Sequence, residues 1–531
     1  MFIHKTTKKV GSKAYHSFLL SESYRENGIV KHRVIANLSR LPQHLIDAVS
    51  AALKGQPTTP LHDLPIKSGK NFGGLFVLKE LAKALSIDKI LGTSRKAKLA
   101  MLLILGRILT QGSRRHLTFW REGQAIEDVL GFCSFDEDDL YETLDWLEKS
   151  QEKMEDQWFK FRFKNEQVDL FLYDVTSSYL EGNDNELADY GYNRDKKRGK
   201  KQIVIGLLTN KNGDPIAVEV FQGNTPDVVT VPSQIKKMAE RFGVSEVTFV
   251  GDRAMVKKIP VALLKEQGWH YITAITKPQI EGLMRKGVIQ MGLFEDNLIE
   301  ITDNHVRYLL RRNPQRALEM GGNRNDRIEK VRVLMEKLNE RLMTHPKASK
   351  EIALKELKKR INGLKLAQLM TASADHRSLS ISIDEDAHEN ASRLDGCYVL
   401  KTDISAEKMK AEEVHSAYKG LSKVEWAFRT MKTGLLEIRP LYHRKATRTR
   451  ACAFVAMLAY AITHVLWEKT SHLNRPLDSI LSSLDQIQTQ DIKVADQWIP
   501  VLPTHFRKDQ EIILKTLNIQ FPKTVRHRSE V

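Results

Sequence analysis

Two aspartates lie in apolar segments that have the pattern of buried β-strands. Asp174 comes near the end of the run VDLFLYDVT (168–176), and Asp252 closes the run VTFVGD (247–252). Carboxylates projected from strand ends toward one point can hold divalent cations, and without cations they would repel each other. A lone aspartate at a strand end is more often a turn cap. The pair therefore leaves a metal site and two capped turns about equally open.

A third carboxylate, Glu425, lies in a segment with helical apolar spacing, SAYKGLSKVEWAFRTMKTGLLEIRPLYH (416–443). Between residues 419 and 450, nine lysines and arginines stand against only Glu425 and Glu437. A site for phosphodiester chemistry needs this combination, because cations bind the backbone and an anion binds the metal. The alternative is an ordinary surface pair between Glu425 and Arg429, one helical turn apart, which would contribute little stability.

The elements that must position the two aspartates predict a mixed α/β fold. Between residues 168 and 276 the apolar patterns follow the order β-β-β-α-β-α-β. This alternation by itself indicates the α/β class, within an α+β multidomain chain. The more specific assignment, an RNase H-like core, is an analogy from the strand order.

The whole chain divides by composition and periodicity into six segments. Apolar stripes that begin at Ile328 and Leu354 predict two facing helices inside the fourth of them. The predicted segments are a basic β-hairpin module with a linker (1–70), a helical and DNA-end-binding domain (71–165), the first part of the core (166–277), a β-strand-rich insertion subdomain (278–395), the second part of the core with the Glu425 helix (396–470), and a C-terminal helical region suited to dimerisation (471–531).

The N-terminal module has an Asn27–Gly28 turn between alternating segments, which is a hairpin signal. Its first forty residues contain eight lysines and arginines against Glu22 and Glu26. Such a module could lie along a phosphate backbone, or it could be a solvated edge hairpin. The sequence leaves both interpretations open.

Composition favours a polyanion as the partner and excludes several other classes. The 531 residues contain 83 Lys+Arg against 66 Asp+Glu, a net charge of +17, and 41% are hydrophobic, which excludes a disordered chain. The three distant cysteines, Cys133, Cys397 and Cys452, exclude a zinc ribbon or disulfide framework and fit a reducing cytoplasm. The apolar run at 451–467 is shorter than the ~20 residues of a membrane span, so we expect a buried core helix and no membrane partner.

Taken together, these blocks resemble a DDE transposase of bacterial insertion sequences. The likeness is to the insertion-sequence-four group, closest to its long branch with a basic N-terminal hairpin module. The stretches that carry it are LYDVTSSY (172–179), GYNRDKKRGKKQIVIGLL (191–208), VEVFQGNTPD (218–227), VGDRAM (250–255) and the block from Tyr418 to His443. The group's signature, Tyr-x2-Arg-x3-Glu-x6-Lys, keeps its spacing at Tyr418, Glu425 and Lys432, but Leu421 stands where the group has arginine.

The resemblance implies that Asp174, Asp252 and Glu425 are the catalytic triad and bind two Mg²⁺ ions, for which Mn²⁺ can substitute. The long stretch of sequence between Asp252 and Glu425 would reflect the insertion at 278–395. Other residues would contact DNA, including Lys423 or Arg429 in place of the missing arginine, and an insertion aromatic that stacks on a flipped base. The expected DNA-contacting residues are Tyr418, Lys432, Arg429, Lys423, Arg439, Arg194, Arg253 and Tyr308.

The function that follows is cleavage of double-stranded DNA at the terminal inverted repeats of a mobile element and joining of the 3′-hydroxyls to target DNA. By the same resemblance, we expect a homodimer around DNA in the bacterial cytoplasm. Two rivals stay open. One is an RNase H-like, metal-dependent nuclease without strand transfer, and the other is an inactive, transposase-derived DNA-binding protein.

Overall fold

The computed structural model describes residues 1–10, 13–55, 66–132, 134–166, 168–182, 184–494 and 497–522. The chain forms two compact units. The first unit comprises Met1–Lys83, Gly112–Leu140 and Val465–Val531, and the second comprises Ala84–Gln111 and Tyr141–His464. Residues 56–65, in the segment predicted to contain the linker, and Cys133 lie outside the described residues.

The strands, in chain order, are β1 (Phe2–Val10), β2 (Lys13–Glu26), β3 (Ile29–Asn37), β4 (Ile66–Asn71), β5 (Leu170–Tyr179), β6 (Gln202–Asn210), β7 (Pro215–Phe221), β8 (Thr248–Val250), β9 (His270–Ala274), β10 (Ile299–Asp303), β11 (Val306–Arg312), β12 (Met370–Asp375), β13 (Ser378–Ile383), β14 (Cys397–Thr402), β15 (Gln488–Val494) and β16 (Gln497–Val501).

The helices are α1 (Gln43–Leu53), α2 (Gly73–Ala84), α3 (Ile87–Leu91), α4 (Arg95–Leu109), α5 (Arg114–Trp120), α6 (Ile126–Leu130), α7 (Glu137–Arg162), α8 (Asp227–Lys237), α9 (Lys258–Glu266), α10 (Lys277–Arg285), α11 (Pro314–Thr344), α12 (Lys350–Gly363), α13 (Glu385–Arg393), α14 (Ala411–Lys419), α15 (Leu421–Lys432), α16 (Ala446–Thr470), α17 (Leu477–Asp485) and α18 (Lys508–Leu517).

Two three-stranded antiparallel sheets characterise the first unit. The N-terminal sheet has the order β1-β2-β3, and the predicted turn joins β2 to β3 with positive φ at Asn27 and Gly28. The other sheet has the order β16-β15-β4. The helical region predicted at 471–531 does contain α17 and α18, but it also contains β15 and β16, and β15 pairs with the distant strand β4.

An eight-stranded mixed sheet of order β10-β11-β14-β9-β8-β5-β6-β7 forms the centre of the second unit. β5, β6 and β7 form the predicted antiparallel meander, and β5, β8 and β9 run parallel. Helices α8 and α9 lie between these strands in the chain, so the predicted order β-β-β-α-β-α-β is present. The predicted mixed α/β class is thereby confirmed.

The central sheet buries one face against a hydrophobic core. Phe171 and Tyr173 of β5 pack there with Val231 and Ile235 of α8 and Leu264 of α9. Because side chains alternate along a strand, the intervening residues of β5 point to the opposite face. That opposite face is where the carboxylates lie, as described below.

The predicted insertion is smaller than expected. β10 and β11 fall inside 278–395 but extend the central sheet, since β11 pairs with β14 and Arg312 lies opposite Cys397. At the same point, the Asn313 amide donates to the Gly396 carbonyl over 2.9 Å. The true excursion therefore runs from Asn313 to Gly396, between two neighbouring strands.

Within this excursion, α11 and α12 pack on the two-stranded sheet of β12 and β13 around a hydrophobic core of their own. Ile328 and Leu338 of α11 and Leu357 of α12 are buried in it. The two predicted apolar stripes therefore do face each other.

The predicted helical segment 71–165 does not form one unit. Residues 84–111, which include α3 and α4, belong to the second unit, while residues 112–140 belong to the first. The periodicity of apolar residues predicted the helices, but it does not indicate which helices pack together.

The apolar run at 451–467 lies in α16. Among the described residues, the one helical stretch long and apolar enough to cross a membrane is Ala446–Leu473, and 83% of its most apolar window is buried inside the protein. Phe454, Met457 and Leu458 are completely buried. This burial is that of a core helix, as the sequence predicted.

Candidate active site

The strand register brings Asp174 and Asp252 to the same level of the central sheet. β5 and β8 are parallel neighbours, with Leu170 opposite Thr248 and Leu172 opposite Val250. Continuing by two residues places Asp174 opposite Asp252, which lies just beyond the end of β8. Adjacent parallel strands are about 4.8 Å apart. The two aspartates are therefore neighbours at one edge of this strand pair.

The helix pair α14–α15 covers the face of β5 to which Asp174 belongs. A Cβ atom built on Gly420, between the two helices, would lie 3.4 Å from Leu172 Cδ1 and 2.8 Å from the Ala417 carbonyl oxygen. Glycine at this position thus allows the helices to approach β5 closely. Leu172 and Asp174 are on the same face by alternation, so Asp174 faces the layer that contains Glu425.

The electrostatics of Asp174 indicate that the three carboxylates converge. Burial, followed by the negative charges of Asp252 and Glu425, raises the pKa of Asp174 to about 7. The Val175 amide, which donates to Asp174 Oδ1 over 2.8 Å, and the nearby Arg194 partly oppose this rise in pKa. Repulsion among the three acidic groups is what a bound cation would relieve.

Asp252 is both a turn cap and a candidate ligand. Its Oδ1 accepts hydrogen bonds from the amides of Ala254 (2.8 Å) and Met255 (3.1 Å). The cap interpretation is therefore correct for Oδ1. Within the described part of the chain, these side-chain hydrogen bonds leave Oδ2 available to a ligand. Capping holds the carboxylate at a fixed position, so the two interpretations are compatible.

Tyr418 lies among the same three carboxylates. Burial, followed by the negative charges of Asp252, Glu425 and Asp174, raises the pKa of its phenol to about 12, and Arg253 opposes the rise. The phenol therefore keeps its proton at neutral pH and can donate a hydrogen bond. Arg253 is exposed beside it.

The surface pair proposed as the alternative for Glu425 does not form. Glu425 and Arg429 are both exposed on α15, and no ion pair joins them among the described residues. The nearby Lys423 is also exposed and donates from Nζ to the Lys211 carbonyl over 2.8 Å. Glu425 is thus free of a competing cation on its own helix.

Lys432 is not an open surface cation. It is buried at the end of α15, and its Nζ lies 2.7 Å from Asp195 Oδ1. The Arg439 guanidinium pairs with the same oxygen, while the Asp195 side chain is only 2% exposed. That Lys432 and Arg439 contact DNA stays a prediction, and in this structure both are ion-paired with Asp195.

Asp195 is the residue that the sequence interpretation missed. It belongs to the strongly basic loop GYNRDKKRGK (191–200), where one acidic residue among so many cations was the available signal. In the same loop, the Arg194 amide donates to Ser177 Oγ (2.9 Å) and its guanidinium to Asp227 (2.5 Å). These contacts hold Arg194 near Asp174.

Tyr308 does not offer a ring face for base stacking. It lies on β11, in the central sheet, and is buried with Ile275, Phe294 and Val399. Burial also raises the pKa of its phenol. The expectation of stacking is wrong here because the range treated as an insertion contained a core strand.

Asp214, in the turn between β6 and β7, forms a separate cluster with a histidine and other polar side chains. The Asp214 side chain accepts from Arg162 (3.2 Å) and Asn210 (3.0 Å), and His464 Nδ1 lies 3.4 Å from it. Asp214 is buried and already paired with a guanidinium. These contacts join the turn to α7 and α16, so the cluster has a structural role in holding these elements together.

Comparison with known proteins identifies the family. The family described as "Transposase DDE domain" matches residues 167–462, more than half of the chain. The family described as "IS1634 family transposase, N-terminal domain" matches residues 3–59. No curated protein matches the chain.

Similar solved structures include the piggyBac transposase synaptic complex with hairpin DNA, with 10% identity, a TM-score of 0.37, and coverage of 77% of this chain and 78% of that chain. The Mos1 transposase paired-end complex with left transposon end has 12% identity, a TM-score of 0.15, and coverage of 34% and 58%. Both scores are too low to support an argument. The family matches alone show that this chain belongs to the transposase DDE domain family, as a DDE transposase with the N-terminal domain of the IS1634 family.

Proposed function

We propose that this transposase cuts DNA at the ends of its own mobile element and joins the freed 3′-hydroxyls to target DNA, with Asp174, Asp252 and Glu425 as the catalytic carboxylates. The observation that carries the proposal is the register of β5 and β8. It sets two aspartates side by side beneath the helix that carries the glutamate. The proposal includes an RNase H-like core and a relationship to the insertion-sequence-four group.

The three carboxylates fit a divalent cation. DDE transposases use divalent metals, and we propose Mg²⁺ with Mn²⁺ as a substitute. All three ligands would be hard oxygen donors, which these ions prefer. Burial and the two neighbouring carboxylates raise the pKa of Asp174, so a bound cation would relieve an electrostatic penalty there. When bound, the ions would activate the attacking oxygen and stabilise the leaving one.

The side chains around the carboxylates suit a phosphodiester backbone. Tyr418 keeps its phenolic proton and can donate to a phosphate oxygen, and Arg253 is exposed next to it. Lys423 and Arg429 are exposed on the same helix as Glu425. Contacts of this type fix the position of the DNA without reading its sequence. We propose double-stranded DNA as the partner, a homodimer when two ends are held together, and activity in the bacterial cytoplasm.

The test is cleavage of a duplex carrying the inverted repeats that flank the gene. We expect Asp174→Asn, Asp252→Asn and Glu425→Gln each to lower Mg²⁺-dependent cleavage by at least about 10³-fold, because each removes a metal ligand. The matched control is Glu412→Gln, an exposed glutamate on the preceding helix. Undiminished cleavage by any triad variant would contradict its assignment.

Strand transfer is tested separately, with duplexes that already carry free 3′-hydroxyl ends and a supercoiled plasmid as the target. Joined products are expected with the wild-type protein and absent with the triad variants. Hydrolysis without joined product would support the nuclease alternative instead.

A further inference from the structure

The two faces of the N-terminal sheet β1-β2-β3 differ in their charged groups. The pairing sets Glu22 opposite Arg33, while Glu26 and Lys31 extend from the same side. Both carboxylates are neutralised there, Glu22 by Arg33 and Glu26 by Lys31, whose charged atoms are 2.6 Å apart. We call this side the ion-paired face.

The opposite side carries cations and no carboxylate among the described residues of the three strands. By alternation and register, it presents Lys8 from β1, Arg25 from β2 and His32 from β3. Neither Lys8 nor Arg25 has an ion-pair partner within the described part of the chain. Small donors accompany them, including Ser23, whose Oγ lies 3.0 Å from His32 Nδ1. We call this side the carboxylate-free face.

Ser21 is buried on the carboxylate-free face, but much of this face is open to solvent although it has apolar area. Val34 is 59% exposed, Val30 is 52% exposed and Phe2 is 39% exposed. A three-stranded sheet normally needs one covered face for its stability. An exposed apolar area rimmed by unpaired cations is typical of a surface that binds a partner.

We infer that the carboxylate-free face docks onto double-stranded DNA and is a DNA-binding surface of this transposase. The inference rests on the proposed function in taking DNA as the partner. Charge complementarity favours a polyanion, because the face has cations and hydrogen-bond donors but no acidic group that would repel phosphates. Two- and three-stranded sheets are known to enter a groove of DNA.

The spacing of the cations favours an extended polymer over a small anion. Lys8 pairs opposite Tyr15, and Arg25 lies ten residues farther along β2. At about 3.3 Å per residue, the two cations are separated by about 33 Å, close to one turn of duplex DNA. A symmetric contact between two copies of this face would set like charges against each other, which disfavours self-association.

The test measures the binding of the full-length protein to a fluorescein-labelled 30-base-pair duplex of mixed sequence, by fluorescence anisotropy in EDTA between 50 and 200 mM salt. The test variant is Lys8→Gln with Arg25→Gln. The matched control is Lys5→Gln with Arg33→Gln, which removes the same two charge types from the ion-paired face of the same sheet.

We expect the test variant to bind roughly tenfold more weakly at 100 mM salt and to lower the slope of log K against log salt by about 2, since each lost phosphate contact removes ~0.9. The control should change the affinity by less than about threefold. Equal effects of the two variants would overturn the inference. So would a test variant that binds DNA normally but changes the oligomeric state in sedimentation, which would mark a protein interface.

A third measurement separates this inference from the proposed function. Binding in EDTA does not require catalysis, so a wild-type protein that shows the face-dependent binding but never cleaves would refute the proposed function alone. Normal cleavage by a test variant with undiminished binding would refute this inference alone. Ser23→Glu, which adds a carboxylate to the face, should weaken binding as Lys8→Gln with Arg25→Gln does, and Tyr24→Glu on the ion-paired face should not.

Discussion

The substitution Asp174→Asn should stabilise the metal-free enzyme while it abolishes cleavage. The pKa of Asp174 is raised from 3.8 to about 7 in the folded protein, mainly by burial and then by the neighbouring carboxylates. The folded state therefore holds a proton that the unfolded chain releases near pH 4. Stability is thus lost as the pH rises from about 4 to 7, the opposite of the behaviour of an ion-paired aspartate.

The size of this effect follows from the shift. About three pKa units at 1.36 kcal/mol each correspond to roughly 4 kcal/mol of destabilisation above pH 7, an upper bound because water entering the site would reduce it. About 2 kcal/mol of that loss should develop between pH 5.5 and pH 8. Asparagine has the same shape and no charge, so the variant should escape this loss. A divalent cation should return stability to the wild-type protein above pH 7 but not to the variant.

The assay is urea unfolding followed by tryptophan fluorescence, in EDTA and in MgCl₂, at pH 5.5 and pH 8. Asp169→Asn is the control, because Asp169 is an exposed aspartate just before the same strand. The variant should exceed the wild type in stability at pH 8 by more than it does at pH 5.5, and only in EDTA. If Asp174→Asn is less stable than the wild type at pH 8, or the difference does not grow with pH, the proposed electrostatic strain is refuted.

Three further substitutions test buried contacts of the second unit. Asp195→Asn should lower the free energy of unfolding by about 3 kcal/mol in a urea titration, because it leaves Lys432 buried without its counter-charge; a loss below about 1 kcal/mol would contradict this. Gly206→Ala should cost about 1–3 kcal/mol by thermal unfolding, since its Cβ would collide with the buried Tyr173 phenol; an unchanged melting temperature would show that the ring has room to move. Tyr308→Leu should reduce stability by about 1–2 kcal/mol and leave DNA affinity unchanged, and weaker DNA binding by a stably folded variant would restore the stacking hypothesis.

The site could be partly predicted because its aspartates are local features. An apolar run that ends in an acidic residue has a signature in consecutive positions, and parallel strands then bring such ends together. Glu425 was different, because its helix resembles any amphipathic helix. The surrounding cations made Glu425 a candidate, and the resemblance to a family gave it a role. Asp195 was missed because burial with Lys432 depends on a contact between segments far apart in the chain.

The errors in the fold have the same physical origin. β10 and β11 lie in a segment that was predicted to be rich in strands but was assigned to an insertion, because strand pairing leaves little trace in the local pattern. Likewise β4 joins β15 through residues more than four hundred positions apart, such as Ser68 and Gln490. Periodicity predicts what an element is, and the partner of that element is decided by packing.

The long excursion between β11 and β14 leaves the sheet and returns to it at one pair of opposed residues. The paired sheet residues Arg312 and Cys397 flank it. Gly396, with φ of 74°, packs so close to Asn313 that no larger residue would fit there. The entropic cost of closing a loop grows only slowly with its length. The stability of the sheet should therefore depend little on the length of the segment inserted at this point. We therefore expect that the excursion can be replaced by a short turn while Asp174 and Asp252 keep their register in the sheet.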